Sequence, residues 1–184
     1  WILVAPSEIE GQPRTWIYSA EAEKVFAKGL EAYREGRFDM SVARLQRLLE
    51  FPQNQRSSAG QLLLGKSYFG LSRFAESLDA ARGLERKFAD SRYLPDARLL
   101  AGDSYFKLKR YYESASQYGR LLATAARLDI QAQAAERLAA IVKNGYLNAQ
   151  GLENLALSIG AKRLREALFF GQARWYGRLG WIVE

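Results

Sequence analysis

The sequence predicts an all-α protein in which pairs of helices repeat along the chain. Its 184 residues are rich in leucine, alanine, arginine, glutamate and lysine and contain only four prolines, a composition that favours helices. A pattern of glycine, aromatic and serine residues also recurs after 36 and then 37 residues. Self-similarity at such a period is typical of stacked units that bury their apolar faces only against their neighbours. We therefore expect an elongated stack of helix hairpins.

Three segments carry this repeat with the same internal spacing. Each starts at a glycine, which is followed by an aromatic residue at the fourth position, an arginine and an aromatic residue at the eighth and ninth, a serine at the twelfth and a leucine at the nineteenth. The members are Gly29, Tyr33, Arg37, Phe38, Ser41 and Leu48; Gly65, Phe69, Arg73, Phe74, Ser77 and Leu84; and Gly102, Phe106, Arg110, Tyr111, Ser114 and Leu121. This agreement predicts three hairpins within residues 21–127, after an N-terminal extension over residues 1–20.

Each segment is expected to form two helices joined by a short turn. In the second segment, Leu63, Leu64 and Tyr68 recur at helical spacing ahead of a turn at Ser72 and Arg73. The glycine leaves room for the paired helix, and the serine supplies a second small residue at the helix crossing. We expect the serine hydroxyl to bond a carbonyl of its own helix. The aromatic residue that opens the second helix is expected to fill the space between successive units.

The repeat fades after the third segment. An alanine-rich helix is predicted from about Ile130 to Lys143, and a second helix is predicted over residues 148–159, ending at Gly160. Residues 128–184 are therefore interpreted as a divergent fourth repeat followed by the first helix of a possible fifth.

The predicted last helix surrounds Gly171, which follows Gly102 by 69 residues, or about two periods. This helix either caps the stack or belongs to a longer protein in which the stack continues. The run Gly180–Val183 is too apolar for the polar outer face that a capping unit needs, so we expect the stack to continue.

The three segments resemble the tetratricopeptide repeat, whose pattern has a glycine, nearby aromatic residues and a small residue at the helix crossing. The resemblance covers residues 21–127 and implies a right-handed superhelical α-solenoid. Serine replaces the usual alanine at the crossing, and the unit is longer than the usual repeat of about 34 residues. The stretch Lys87–Ala97, followed by Gly102–Phe106, is similar to longer-period repeats of bacterial cell-envelope proteins. These are the lipoprotein of the β-barrel assembly machine, the Tol–Pal coordinator and the N-terminal region of penicillin-binding-protein activators.

This resemblance also implies a binding surface. In tetratricopeptide proteins the first helices of successive hairpins line a concave groove that holds extended peptides or partner helices. Carried over from each glycine, the partner-binding positions in this chain are Phe26, Tyr33, Arg34, Lys66, Phe69, Asp103, Phe106 and Lys107. Aromatic rings beside positive charges suit peptide binding because they offer a large contact area at low entropic cost. The alternative, that the rings mostly pack between hairpins, stays open.

The lysine and asparagine clamp with which chaperone-binding members of the family grip a C-terminal carboxylate is not reproduced. Lys66 occupies one of its places, but Leu30 and Asp103 occupy the equivalent places in the other repeats. The expected partner is therefore a protein or peptide that is not held by its C-terminal carboxylate.

Catalysis is not predicted. The sequence contains no cysteine and no histidine, which excludes disulfides, thiolate nucleophiles and Ser-His-Asp triads and removes the commonest metal ligands. Carboxylate pairs and lysine nucleophiles remain possible in principle, but no paired-acid constellation, Gly-rich phosphate loop or metal-ligand spacing occurs. We expect no enzyme activity, no catalytic residue, no metal site and no cofactor.

The formal net charge of +7 leaves a second function open, a basic helical-repeat protein that binds nucleic acid. The basic residues are spread singly, which favours a solvated helix surface and makes nucleic acid the less favoured partner. Arg37, Arg73 and Arg110 recur in the turns and could dock an acidic partner or cap helix carbonyls. The bases and aromatic residues around Trp175 could stack on nucleobases, meet a membrane surface or pack against a following domain.

No run of about 18 apolar residues occurs, so no membrane span is predicted. The apolar start Trp1–Pro6 fits the end of a signal peptide, a tag remnant or a short docked strand. From the envelope resemblance we expect a periplasmic or cell-envelope location, with the cytoplasm as the alternative. Attachment to a membrane through a signal or lipid anchor ahead of Trp1 stays open.

Overall fold

The computed structural model describes residues 18–124, 127–160 and 162. Those residues form helices and no strand, so the predicted all-α class is confirmed. The predictions for Trp1–Pro6, for Gly171 and for the residues around Trp175 lie outside the described residues. The helices are α1 (Ala20–Arg34), α2 (Phe38–Glu50), α3 (Ser57–Gly70), α4 (Phe74–Lys87), α5 (Leu94–Lys107), α6 (Tyr111–Ala123), α7 (Leu128–Lys143) and α8 (Ala149–Ile159).

The helices pack in chain order as a stack of hairpins. α1 packs on α2, α3 on α4 and α5 on α6, while α2 packs on α3, α4 on α5 and α6 on α7. The first helices of successive hairpins also contact one another, α1 with α3, α3 with α5 and α5 with α7, so they share one face of the solenoid. At the C-terminal end α8 packs against α6, and Leu155 of α8 is fully buried in one cluster with Leu138 and Ile141 of α7.

The three hairpin turns share one backbone conformation. Gly36, Ser72 and Lys109 occupy the same position in their repeats and have positive φ angles of 74°, 59° and 60°. The residue after each of them donates its backbone N–H to a carbonyl five residues back, as Arg73 does to Tyr68 at 2.9 Å. Glycine adopts this left-handed conformation freely, whereas serine and lysine are strained in it. The predicted turn at Ser72 and Arg73 is confirmed.

Two glycines of the repeat are required by close packing of side chains. A Cβ atom on Gly102 would lie 2.4 Å from the ring of Tyr118 on α6, and one on Gly65 would lie 2.8 Å from Leu100 on α5. Neither site has room for a side chain without a shift of its neighbour. The expectation that the glycine lets the paired helix approach closely is confirmed at Gly102, and at Gly65 the Cβ would lie 3.3 Å from Ala80 of the paired helix.

The repeated serines lie at the helix crossings, as expected, but two of them bond in a different direction. Ser41 and Ser114 are fully buried and donate to backbone carbonyls of the paired helix, to Gly29 at 2.9 Å and to Gly102 at 2.8 Å. The prediction that these hydroxyls bond their own helix is wrong, because the close approach at the glycine brings a carbonyl of the paired helix within reach.

A second serine, two residues after the glycine, connects each of α3 and α5 to the preceding hairpin. Ser67 lies 2.9 Å from Ser41, and Ser104 lies 3.0 Å from Ser77, hydroxyl to hydroxyl. We call these contacts the serine pairs. Ser67 and Ser104 also lie 2.8 Å from carbonyls of their own helices. Each of these hydroxyls has one proton, which is shared between that carbonyl and the serine across the junction.

The aromatic residue that opens the second helix contacts the next hairpin in two of the units. A Cβ atom on Gly70 would lie 2.7 Å from the Phe38 ring, so this ring fills the space that the glycine leaves on α3. Tyr111 stacks on Tyr146, which follows α7, with ring centroids 4.4 Å apart and an interplanar angle of 17°. The predicted role is confirmed for Phe38 and Tyr111.

Candidate partner-binding groove

Two adjoining depressions open on the face that the first helices share. The apolar depression has a volume of about 370 Å³ and is lined by Phe69, Phe106, Lys107, Tyr118 and Ala140, among others. The polar depression has a volume of about 320 Å³ and is lined by Tyr33, Lys66, Asp96, Arg127, Asp129 and Gln133, among others. Phe69, Asp103 and Arg137 line both depressions, so the two form one groove across α3, α5 and α7.

This groove brings together most of the residues that the sequence predicts for partner binding: Tyr33, Lys66, Phe69, Asp103, Phe106 and Lys107. Phe26 and Arg34 lie on α1 and line neither of the two depressions. The ring of Phe26 is covered by the guanidinium of Arg56, 5.2 Å from the ring centroid, and Arg56 donates to Glu23 at 2.6 Å. Phe26 is therefore part of the contact between α1 and the start of α3.

Tyr33, Phe69 and Phe106 form a ladder of half-buried rings, one in each repeat. Each ring packs against the aromatic residue that opens the second helix of its own hairpin, with centroids 5.5, 5.2 and 5.4 Å apart. Phe106 also contacts Tyr146 at 5.6 Å. Each ring therefore has an aromatic packing partner, and each also lines the groove.

Asp103 is the centre of a charged network at the boundary between the two depressions. The hydroxyl of Tyr118 donates to its Oδ1 at 2.6 Å, and the guanidinium of Arg137 lies 2.8 Å from the same oxygen. Burial raises the pKa of Asp103, although Tyr118, Arg137 and Lys107 act in the opposite direction. Burial and the Asp103 carboxylate raise the pKa of Tyr118, so the phenol stays protonated and continues to donate.

Arg127 holds the acidic groups of the polar depression. Its guanidinium lies 3.3 Å from Asp96 and 3.2 Å from Asp129, and its hydrogen bond to Asp129 lowers the pKa of that carboxyl. Asp96 lies in the first turn of α5, where the helix dipole favours a negative charge. Its second oxygen, Oδ2, is buried and has no hydrogen-bond partner among the described residues.

Three cations of the predicted set have no ion-pair partner within the described part of the chain. No carboxylate among the described residues lies within 4.0 Å of Arg34, Lys66 or Lys107. Lys66 is half-buried in the polar depression, and Lys107 is exposed at the apolar one. Because the acidic residues of the groove are each paired with an arginine, its unmatched charge is positive.

The recurring arginines of the turns are engaged locally. Arg73 and Arg110 pair with the glutamates three residues later, at 2.8 and 2.7 Å. Each guanidinium also lies over a tyrosine ring of the preceding helix, Tyr68 at 4.7 Å and Tyr105 at 4.8 Å. Arg37 likewise pairs with a neighbouring glutamate. These contacts stabilise the turns and explain why arginine recurs there.

The groove residues that the sequence does not predict include Tyr118, Arg127 and Arg137. Tyr118 could have been noticed, because it lies 16 residues after its glycine, where the other two repeats have Leu45 and Ala81. The two arginines have no such signal, because they lie beyond the last position that aligns in the three segments.

No protein-family model and no curated protein matches this chain. Its structure is similar to that of PcrH in the crystal structure of PcrH in complex with the chaperone binding region of PopB. The TM-score is 0.55 and the sequence identity 20%, and the match covers 68% of this chain and 97% of the PcrH chain.

The chain has a helical-repeat fold. At this level of identity the similarity to PcrH shows the fold alone, and with the packing of α1 to α7 it confirms the predicted α-solenoid. The finer resemblance to repeats of cell-envelope proteins has no match among these comparisons and stays a prediction.

The described residues contain neither a metal-binding cluster nor a helix that could span a membrane. Within residues 18–124, 127–160 and 162, no group of three or more metal-ligating side chains is placed to hold an ion. None of the described helices is both long and apolar enough to cross a membrane. The expected lack of catalysis and of cofactors stays a prediction.

Proposed function

We propose that this chain is a non-catalytic scaffold that binds an extended segment of another protein in the groove across α3, α5 and α7. The observation that carries the proposal is the apolar depression, where Phe69 and Phe106 line a cavity of about 370 Å³. Concave, largely apolar sites with a few fixed polar groups are typical of ligand binding. The similar fold of PcrH, which was crystallised with a region of PopB, supports a protein segment as the ligand.

The groove is ordered before any ligand binds. Phe69 packs on Phe74 and Phe106 packs on Tyr111, so each of the two rings is held by a neighbouring aromatic ring. Asp103 is fixed by its hydrogen bond from Tyr118. A ligand therefore has few protein side chains to immobilise, which lowers the entropic cost of binding.

Protein binding is favoured over nucleic-acid binding because several arginines are already occupied. Arg73, Arg110 and Arg127 each lie within ion-pair distance of a carboxylate. A paired guanidinium is less available to phosphate groups, whose neutralisation dominates binding to nucleic acid.

This function can be tested with a variant whose groove is filled by a bulky side chain. Ala140 lies on α7, is exposed and lines the apolar depression, so Ala140→Trp fills the cavity without removing any packing of Phe69 or Phe106. Ala43→Trp is the matched control, because Ala43 is exposed on α2, which is not among the helices that line the groove. Both variants and the unchanged chain are applied to an array of short synthetic peptides of varied sequence.

We expect the unchanged chain and Ala43→Trp to bind the same peptides, and Ala140→Trp to lose them. Burial of one large apolar side chain contributes about 1.5–3 kcal/mol, so the loss of affinity should be about tenfold or more. Equal peptide binding by Ala140→Trp, with unchanged helicity by circular dichroism, would contradict the groove as the site.

We also propose a periplasmic or cell-envelope location. The proposal is supported by the similarity of residues 87–97 to repeats of envelope proteins. Fractionation of cells that express the protein tests it, and recovery of the protein with the cytosol would contradict it.

A further inference from the structure

We infer that the segment bound in the groove carries one large apolar side chain with acidic side chains close to it in the sequence. The inference rests on the proposed function, and it names the chemistry of the ligand. It is carried by three observations: the shape of the apolar depression, the pairing of the groove's carboxylates, and two lysines that have no such pairing among the described residues.

The apolar depression accepts the apolar side chain. Phe69, Phe106 and Ala140 supply carbon surface on three different helices. Because α3, α5 and α7 are fixed by their mutual contacts, the cavity is a preformed site for one anchor side chain.

The acidic residues of the groove are already satisfied by arginine. Asp103 lies 2.8 Å from Arg137, and Asp129 lies 3.2 Å from Arg127. Asp96 also pairs with Arg127, at 3.3 Å. A basic ligand would have to compete with these pairs, so the carboxylates do not provide a vacant site for lysine or arginine.

The lysines of the groove are available. Lys107 lies one residue after Phe106 at the apolar depression, and Lys66 lies on the neighbouring helix in the polar depression. Within the described part of the chain neither has a carboxylate within 4.0 Å. Carboxylates that flank the anchor side chain would meet these ammonium groups, and the net charge of +7 would speed their approach.

The experiment uses a matched series of peptides built on one sequence that the array selects. The apolar anchor is kept, and its flanking positions are changed together to glutamate, glutamine or lysine. Both peptide ends are blocked, so that a terminal carboxylate contributes nothing. Affinities are measured by fluorescence anisotropy at low and at high salt, with the full 184-residue chain.

We expect the glutamate peptide to bind most tightly and the lysine peptide most weakly. Partly exposed ion pairs change an affinity by up to about fivefold each, so two of them should separate glutamate from glutamine by about tenfold, and by less at high salt. The double variant Lys66→Gln with Lys107→Gln should abolish this preference. Lys87→Gln, a control at an exposed lysine that ends α4, should preserve it.

Other outcomes overturn the inference in distinguishable ways. If glutamate and glutamine peptides bind equally, and Ala140→Trp still abolishes binding, the ligand chemistry is wrong and the groove function stands. If no peptide of the array binds, both the function and the inference fail. If a short single-stranded RNA binds more tightly than every peptide and loses affinity in the double lysine variant, the groove recognises nucleic acid instead.

Discussion

Replacement of Tyr118 by phenylalanine removes one hydroxyl from the charged network and leaves the packing of the ring in place. The Tyr118 side chain is 1% exposed, and its hydroxyl donates to Asp103 at 2.6 Å. A hydrogen bond to a charged group contributes about 1.5–3 kcal/mol. Because Arg137 remains beside the carboxylate, we expect Tyr118→Phe to lower the free energy of unfolding at neutral pH by about 2 kcal/mol.

The cost of this substitution should depend on pH, because Asp103 titrates. Burial raises its pKa in the folded protein, so the folded state holds the proton more tightly than the unfolded chain does. The contribution of Asp103 to stability therefore falls as the pH rises from below its ordinary pKa to above its raised pKa. Tyr118 opposes this loss by stabilising the ionised carboxylate. Removal of its hydroxyl should therefore lower the free energy of unfolding most at neutral pH, and by only about 1 kcal/mol once Asp103 is protonated.

The assay is urea denaturation followed by circular dichroism, at neutral pH and below 3.8, the ordinary pKa of the aspartate. Tyr68→Phe is the matched control, because Tyr68 is also buried and its hydroxyl accepts a neutral hydrogen bond from Gln46 at 3.0 Å. We expect the control substitution to lower the free energy of unfolding by about 1 kcal/mol at both pH values. Equal losses in the two variants, independent of pH, would refute the role assigned to the Asp103 carboxylate.

Three further substitutions test the packing and the turns. Gly102→Ala should lower the free energy of unfolding by about 1–3 kcal/mol, because its Cβ would lie 2.4 Å from the Tyr118 ring. An unchanged melting temperature in calorimetry would show instead that the ring moves aside freely. Lys109→Gly should raise the free energy of unfolding by up to about 1 kcal/mol, because relief of the strain of the left-handed conformation exceeds the conformational entropy that glycine costs. A lower free energy of unfolding in urea denaturation would contradict that strain. Ser41→Ala should lower the free energy of unfolding by about 1–3 kcal/mol, because its buried hydroxyl contacts both α1 and α3. A change close to zero in urea denaturation would argue against the serine pair.

The hairpins were predictable from the sequence because they repeat. The glycine, the aromatic residue and the serine return at fixed offsets, and a wrong assignment in one copy would disagree with the other two. The turn conformation at Ser72 and Lys109 was less accessible, since only Gly36 among the three turn residues signals a positive φ angle. The direction of the Ser41 hydroxyl depends on the distance between paired helices, which no local pattern encodes.

The candidate site was predictable only where it follows the repeat. Lys66, Phe69 and Phe106 were found from their offsets to the glycines. The network of Asp103 with Tyr118 and Arg137 joins residues of three helices, and each member departs from the repeat or lies beyond it. Such long-range polar contacts are specific to one copy, so periodicity carries no information about them.

The serine pairs have a consequence for the shape of the stack. A hydrogen bond between two hydroxyls tolerates a narrow range of alignments, whereas apolar side chains can slide over one another with little penalty. The junctions of α2 with α3 and of α4 with α5 each contain one such pair, but α7 contains no serine or threonine. We therefore expect the first hairpins to behave as one stiff body. The position of α7 over α5 depends instead on the ion pair of Arg137 with Asp103. Both residues line the apolar depression, so their charges help to set its width before a ligand binds.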